Sequence, residues 1–273
     1  MRVVERKYIC KNGVVESTRF AVGSTTQRIK GKRTGKKCSI KKQTENDKIA
    51  VRTLARVLNC NFVKHDLLIT LKWSDEALRK LYAKVRKTGI TESDDGWMDA
   101  VRKAADHECM LWQRRIGRKL PGDVQLKMVA ATSDMDGETG EAKRVHSHIV
   151  MTGGIISWDE LQRQWKNGSV NIRQISEQDD YTPIAVYMLK QVRRVPEKNR
   201  YRTTRNMEKP KIEEREISGN APIRLPGGAK LLERQYDAEF IGQYVRYKKK
   251  KNNAPSDAID WVGSGSRNGR RRK

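Results

Sequence analysis

The most informative stretch for the fold is KMVAATSDMDGETGEAKRVHSHIVMT, residues 127–152. Two runs rich in apolar and β-branched residues, Lys127–Thr132 and Arg144–Thr152, flank the segment Asp134–Gly140, in which aspartate and glycine recur. Such runs are typical of β-strands, and clustered Asp and Gly are typical of the turn that joins two strands. The stretch therefore predicts an antiparallel hairpin.

Further strands and helices are predicted on both sides of the hairpin. The apolar run Asp66–Trp73 predicts a strand, and Ser74 after it predicts the N-cap of a helix. Apolar spacing predicts the remaining elements: helices at 46–60, 75–87, 96–118, 157–165 and 179–194, and a strand at 170–175. This order predicts an α+β fold, a central mostly antiparallel β-sheet with helices packed on it, and we expect those helices on one face.

The charge of the chain is large and unevenly distributed. There are 273 residues, with 58 Lys and Arg against 33 Asp and Glu, which gives a formal charge of +25. Residues 1–64 carry 17 basic and 4 acidic side chains, residues 65–195 carry 21 and 19, and residues 196–273 carry 20 and 10. Two basic segments around a nearly neutral middle favour a polyanionic partner, because each neutralised phosphate releases counterions. Nucleic acid is favoured over an anionic membrane, since no basic amphipathic helix stands out.

The sequence predicts neither a membrane span nor an export signal. No apolar run approaches the ~20 residues that a membrane helix needs, and the N-terminus lacks the apolar core of a secretory signal. The four cysteines, Cys10, Cys38, Cys60 and Cys109, form no Cys-x-x-Cys pair. Their spacing argues against a disulfide scaffold or a cysteine-rich zinc site and indicates free thiols. We expect a cytoplasmic protein with no membrane partner.

Two of the four histidines, His146 and His148, lie two residues apart on a predicted strand. Because side chains alternate along a strand, both imidazoles point to the same face. Two neighbouring imidazoles are half of a divalent-metal site, and the acidic turn supplies Asp134, Asp136 or Glu138 as an oxygen ligand. The alternative is a pair of polar residues on a solvated face.

Tyr187 and Lys190 lie three residues apart on a predicted helix and therefore share a face. A tyrosine with an intrinsic pKa of ~10 needs a positive neighbour or a metal ion to act as a nucleophile at neutral pH. The alternative is an aromatic residue at the edge of the core beside a solvated lysine.

In their order along the chain, these motifs resemble those of the HUH (histidine–hydrophobic–histidine) endonucleases, which are replication initiators and relaxases that nick single-stranded DNA. Three segments resemble the family's three motifs: HDLLITLKWSDE (65–76), RVHSHIVMTGG (144–154) and YMLKQ (187–191). Two more, WKNGSVNIRQI (165–175) and TRNMEKPKI (204–212), are similar to linking segments of the gene II-type rolling-circle replication proteins of filamentous phages and related elements.

The resemblance covers residues 48–212 and implies three regions. These are a basic N-terminal arm at 1–45, an HUH endonuclease-like replication domain at 46–212, and a basic, partly disordered C-terminal region at 213–273. The chain departs from the family pattern at three places. Ser147 replaces the apolar residue between the histidines, Lys72 replaces a threonine of the first motif, and Ser133 followed by Asp134 stands where relatives often have glutamate.

The resemblance also implies a mechanism. His146, His148 and an acid, for which we choose Asp134, would hold Mg²⁺ or Mn²⁺ on the scissile phosphate. Tyr187 would attack the phosphate and leave a 5′-phosphotyrosine and a free 3′-hydroxyl, and Lys190 would lower the tyrosine pKa or steady the developing charge. Tyr181 is six residues from Tyr187 and off its helix face, so we expect a single nucleophile. Expected DNA contacts are Thr70, Lys72, Arg144, Arg193 and Arg194.

The implied partner is single-stranded or supercoiled origin DNA. The sequence holds no Gly-x-x-x-x-Gly-Lys-Ser/Thr phosphate loop, so unwinding and extension are expected from a host helicase and polymerase, in the bacterial cytoplasm if the origin is a phage or plasmid. Two alternatives remain at this point: a nucleic-acid-binding phage or plasmid protein without catalysis, and a relaxase or transposase with the same chemistry.

Overall fold

The computed structural model describes residues 2–22, 40–192, 199–218, 221–237 and 242–249. Within them the chain forms ten strands and five helices. The helices are α1 (Ile40–Asn61), α2 (Asp75–Arg86), α3 (Trp97–Gly117), α4 (Trp158–Gln164) and α5 (Thr182–Lys190). The strands are β1 (Arg2–Ile9), β2 (Val14–Val22), β3 (Leu67–Trp73), β4 (Met128–Met135), β5 (Ala142–Met151), β6 (Gly168–Gln174), β7 (Arg202–Thr203), β8 (Lys211–Ile217), β9 (Lys230–Asp237) and β10 (Gly242–Lys248). None of these helices is both long and apolar enough to span a bilayer.

The predicted hairpin is confirmed as β4 and β5, which lie inside an antiparallel sheet of order β6-β3-β5-β4-β7, here called the central sheet. The α+β class is confirmed with it. Strand β3 pairs with β5 so that Thr70 lies opposite His148 and Lys72 lies opposite His146. Residues that face each other across an antiparallel pair point to the same side of the sheet, so these four side chains share one face.

Helices cover both faces of the central sheet, which corrects the expectation of one covered face. Leu67, Ile69 and Ile149 pack with α2, α3 and α4 on one face, whereas Val129 and Val150 pack with α1 and α5 on the other. The reason is in the strands: the runs in β3, β4 and β5 are almost continuously apolar, and a strand of that kind is buried on both sides. The polar side chains of β3 and β5 lie at one end of the α5 face.

Local hydrogen bonds set the ends of the helices. Ser74 and Ser157 accept from the backbone N–H of Ala77 and Glu160, which confirms both predicted N-caps. Helix α5 is shorter than the predicted 179–194: it begins at Thr182, after the N-cap residue Tyr181, and the Asp180 carboxylate accepts from the backbone N–H and hydroxyl of Thr182 at 3.0 and 2.8 Å. Helix α1, by contrast, begins six residues before the predicted 46–60.

The two ends of the chain form a second antiparallel sheet of order β8-β1-β2-β10-β9, here called the terminal sheet. The basic arm expected at 1–45 thus contains β1, β2 and the start of α1, and the C-terminal region expected at 213–273 contains most of β8 and all of β9 and β10. Both predicted domain boundaries fall inside elements, at 45/46 within α1 and at 212/213 within β8. Residues 23–39, with Cys38, and residues 250–273 lie outside the described part; Cys10, Cys60 and Cys109 are buried free thiols.

Helix α1 joins the terminal sheet to the central sheet through buried charges. The Arg56 guanidinium donates to the buried Glu16 carboxylate at 2.6 Å and lies 3.6 Å from the centre of the Tyr8 ring. Arg246 of β10 lies 3.1 Å from Asp180. Since Asp180 also accepts two hydrogen bonds from Thr182, the first residue of α5, the terminal sheet is linked to the start of the helix that carries Tyr187.

Candidate functional site

A cavity of about 680 Å³ opens where α5 crosses the polar end of the central sheet. Strands β3, β5 and β6 form its floor and one wall, and the end of α5 forms another. The lining residues used below are Thr70, Lys72, Lys143, Arg144, His146, His148, Ser169, Asn171, Arg173, Tyr187 and Gln191. The sequence motifs on β3, β5 and α5 are therefore brought together at one place.

The two histidines face each other through their Nε2 atoms, which lie 3.1 Å apart. Each Nδ1 atom has another partner: that of His146 lies 2.9 Å from the Arg144 carbonyl oxygen, and that of His148 lies 3.3 Å from the Thr70 hydroxyl. A carbonyl oxygen only accepts, so the Nδ1–H of His146 donates to Arg144, and in that tautomer Nε2 would be the nitrogen that offers a lone pair to a cation. Such outer contacts orient metal-binding imidazoles in proteins.

Gln191 supplies a third donor that the sequence analysis missed. Its Oε1 atom lies 3.2 Å from Nε2 of His146. Gln191 directly follows α5 and lies four residues after Tyr187, so both side chains reach the same side of the helix. That spacing was visible in the YMLKQ motif, and it is the signal that could have identified Gln191.

Burial sets the protonation state of His148. The side chain is 2 % exposed, and burial, followed by the neighbouring His146, lowers its pKa from 6.5 to about 4, against a hydrogen bond donated to the Gln191 side chain, which raises it. Burial disfavours the charged imidazolium. His148 is therefore neutral at pH 7, the form in which an imidazole binds a metal ion.

Tyr187 lies directly beside the histidine pair. The centres of the Tyr187 and His148 rings are 4.7 Å apart with an angle of 61° between the planes, and Tyr187 is 44 % exposed. The ring is held at the histidines while part of the side chain remains open to the cavity. Tyr181, by contrast, is buried at the start of α5.

The structure does not gather Asp134 with the two histidines. Ser133 is the residue of β4 that lies opposite His146, and Asp134 falls at the irregularity between Ser133 and Met135. Among the described residues, no group of three His, Cys, Asp or Glu side chains is placed to hold a metal ion. The donors that do converge are two imidazole nitrogens and one amide oxygen. These are neutral ligands of the kind that divalent transition-metal ions accept.

Lys190 does not line the cavity with Tyr187 in the described structure. It is exposed, and its aliphatic part lies against Gly137 in the β4–β5 turn, where an added Cβ would be 3.2 Å from the Lys190 Cγ. The next residue, Gln191, occupies the place on the cavity wall that was expected for Lys190.

The cavity wall is cationic. It contains Lys72, Lys143, Arg144 and Arg173, and no Asp or Glu is found among its described residues. Of the expected DNA contacts, Lys72 and Arg144 are exposed here, although Arg144 is paired with Asp75, and Thr70 instead contacts His148. Arg193 and Arg194 lie outside the described residues.

Comparisons of the chain with protein-family models, curated proteins and solved structures find no match. The argument for function therefore rests on the side chains of the cavity.

Proposed function

We propose that this chain is a replication-associated protein that nicks and rejoins single-stranded DNA at an origin, with Tyr187 as the nucleophile. The observation that carries the proposal is the edge contact of the Tyr187 ring with His148, whose Nε2 faces that of His146 across 3.1 Å. An accessible phenol next to two convergent imidazoles in a cationic cavity suits attack on a phosphodiester. The resemblance to HUH endonucleases supports the same chemistry.

His146, His148 and Gln191 would hold the divalent cation, Mn²⁺ or Mg²⁺. When bound, the cation supplies Lewis-acid polarisation of the scissile phosphate. The three donors carry no charge, so a bound phosphate would contribute the negative charge that the protein side chains lack. Lys72 and Arg173, on β3 and β6, are placed at the cavity to bind phosphates on either side of the reacting one.

The covalent step exchanges one ester bond for another. The Tyr187 phenolic oxygen forms a bond to phosphorus, the bond from phosphorus to the 3′ oxygen breaks, the phenolic proton is lost to solvent, and the 3′ oxygen gains a proton. The products are a 5′-phosphotyrosine and a 3′-hydroxyl that a host polymerase extends. Attack by a DNA 3′-hydroxyl reverses the step and reseals the strand. We place this activity in the cytoplasm of a bacterial host, with host helicase as a partner.

The neutral donor set favours a second candidate, a nucleic-acid-binding protein without catalysis, because metal sites of hard cations usually include a carboxylate. A relaxase or transposase would use the same residues for the same step and differs only in which ends are joined.

The test is incubation with Mn²⁺ and a supercoiled plasmid that carries the DNA flanking the coding sequence. Wild type is expected to nick the plasmid and to remain covalently attached to the 5′ end. Tyr187→Phe keeps the ring on His148 but is expected to form neither nick nor adduct, whereas Tyr236→Phe, exposed on β9, serves as the matched control. Salt-sensitive DNA binding without nicking by any of the three proteins would replace catalysis with the binding function.

A further inference from the structure

Ser147, the residue between the two histidines, belongs to a buried polar chain. Alternation turns its side chain away from the cavity, toward α3, and it is 1 % exposed. Ser147 lies opposite Thr132 of β4, and the two hydroxyl oxygens are 3.0 Å apart. An apolar residue could fill this buried position, so packing alone does not explain why two hydroxyls are paired here.

The direction of the hydrogen bonds follows from counting protons. The Thr132 hydroxyl donates to Asp106 Oδ1 of α3 at 3.1 Å, and a hydroxyl has one proton to give. Ser147 must therefore donate to Thr132. The same Asp106 oxygen accepts from Nε of Arg202 at 2.9 Å, and Arg202 also donates to Gln113 at 2.6 Å.

The chain of bonds from Ser147 to Arg202 connects four elements, β5, β4, α3 and β7, and runs from the buried Ser147 and Thr132 to the partly exposed Asp106 and Arg202. Ser147 has Val145 and Ile149 as its neighbours on the same face of β5, both buried against α3. A buried hydroxyl left without a partner is unfavourable, so the chain of bonds favours one arrangement of β5, β4 and α3 over its alternatives.

The position of the Ser147–Thr132 pair along the hairpin gives it a further consequence. The regular β4–β5 register ends one residue later, at Ser133 and His146, and shifts between Ser133 and Met135. A slip of one residue in a strand turns every side chain to the opposite face. A fixed pair next to the shift therefore keeps the irregularity out of the segment that carries both histidines.

We propose that Ser147 is a positioning residue for the histidine pair: its hydroxyl, acting through Thr132 and Asp106, holds β5 on β4 so that the two Nε2 atoms face each other. The inference that this geometry serves cation binding and DNA cleavage rests on the proposed function. The geometry itself belongs to the ion-free protein and can be measured without DNA.

The test compares Ser147→Thr with Ser147→Val, two side chains of the same shape that differ in the hydroxyl. The first readout is the ¹⁵N chemical shifts of the imidazoles of His146 and His148 in the ion-free protein, which report tautomer and hydrogen bonding. Ser147→Thr is expected to keep the wild-type pattern, and Ser147→Val to lose the single tautomer at His146 and His148. The second readout is the Kd for Mn²⁺ alone, which we expect to rise about tenfold in Ser147→Val relative to Ser147→Thr.

Equal imidazole spectra for the two variants would overturn the proposal, whatever their stabilities. If Ser147→Val does not fold, Thr132→Ser and Thr132→Val make the same comparison from the other strand, with the same expected and contrary results. A wild-type protein that binds no Mn²⁺ or nicks no DNA would count against the proposed function, while the imidazole spectra would still decide the role of Ser147.

Discussion

The side-chain oxygen of Gln191 lies 3.2 Å from Nε2 of His146, although 45 residues separate them in the chain. The contact connects the end of α5 to β5 and makes Gln191 the third donor at the histidine pair. It also explains how the site can be assembled without Asp134.

Replacing Gln191 tests this assignment. Gln191→Ala is expected to weaken Mn²⁺ binding by about tenfold to a hundredfold, the usual effect of losing a supporting group at a metal site. Gln191→Glu adds a negative charge at the same place and is expected to bind Mn²⁺ more tightly than wild type. Calorimetric titration with Mn²⁺ measures both. The neighbouring Lys190→Ala is the control, and an equal loss in Lys190→Ala would show that the effect is not specific to the donor.

The buried His148 predicts a loss of stability in acid. Its pKa is about 4 in the folded protein and 6.5 as the reference value, so between these pH values the unfolded chain binds a proton that the folded chain does not. The contribution of His148 to the free energy of unfolding is therefore greatest above pH 6.5. This contribution falls by about 3 kcal/mol as the pH drops to 4. Urea denaturation in EDTA across this range measures the fall.

His148→Gln removes this titrating group and is expected to flatten the pH dependence by about that amount. The exposed His107 on α3 supplies the control variant, His107→Gln. If the two variants show the same pH dependence, the acid loss has another origin.

The sequence predicted the parts of the site that follow local rules. Alternation on a strand predicted that His146 and His148 lie on one face. The order of the motifs along the chain predicted that Tyr187 lies near them. Gln191 was missed because three-residue and four-residue spacings on a helix are equivalent until the neighbour of that helix is known. The packing of α5 on β5 selects Gln191 over Lys190, and that packing depends on residues far apart in the chain.

The terminal sheet was missed for a related reason. Charged residues such as Arg6 and Lys7 interrupt the apolar pattern of β1, so the sequence of this segment indicates a basic arm and not a strand. Its partner on one side is β8, where Val3 lies opposite Ile217. Pairing over more than two hundred residues leaves no signal in a short window of sequence.

The ion pair of Arg56 with Glu16 predicts that removing the arginine alone destabilises the protein more than removing both charges. Burial raises the pKa of Glu16 more than Arg56 and the other nearby arginines lower it, so removing Arg56 leaves a costly buried carboxylate. Arg56→Met is expected to lower the free energy of unfolding by about 3–5 kcal/mol at pH 7, and by less at lower pH, because the raised pKa of Glu16 lets the buried carboxylate bind a proton and lose its charge. The double variant Arg56→Met/Glu16→Gln is expected to recover part of the loss.

Urea denaturation measures each Arg56 variant. Arg6→Met removes an arginine from the exposed pair with Glu214 and is expected to change stability by no more than about 1 kcal/mol. A loss in Arg56→Met as small as that in Arg6→Met would mean that the pair is not buried in solution.

The cationic cavity predicts how DNA binding depends on salt. Lys72 and Arg173 line the cavity beside the histidines from neighbouring strands. If each neutralises one phosphate of a bound single strand, Lys72→Gln and Arg173→Gln should each reduce the slope of log K against log salt by about 0.7. Fluorescence anisotropy with a labelled single strand at several salt concentrations measures the slope. Lys80→Gln, on the exposed side of α2, is expected to leave it unchanged, and a slope that falls equally in all three variants would point to a diffuse charge effect rather than to phosphates in the cavity.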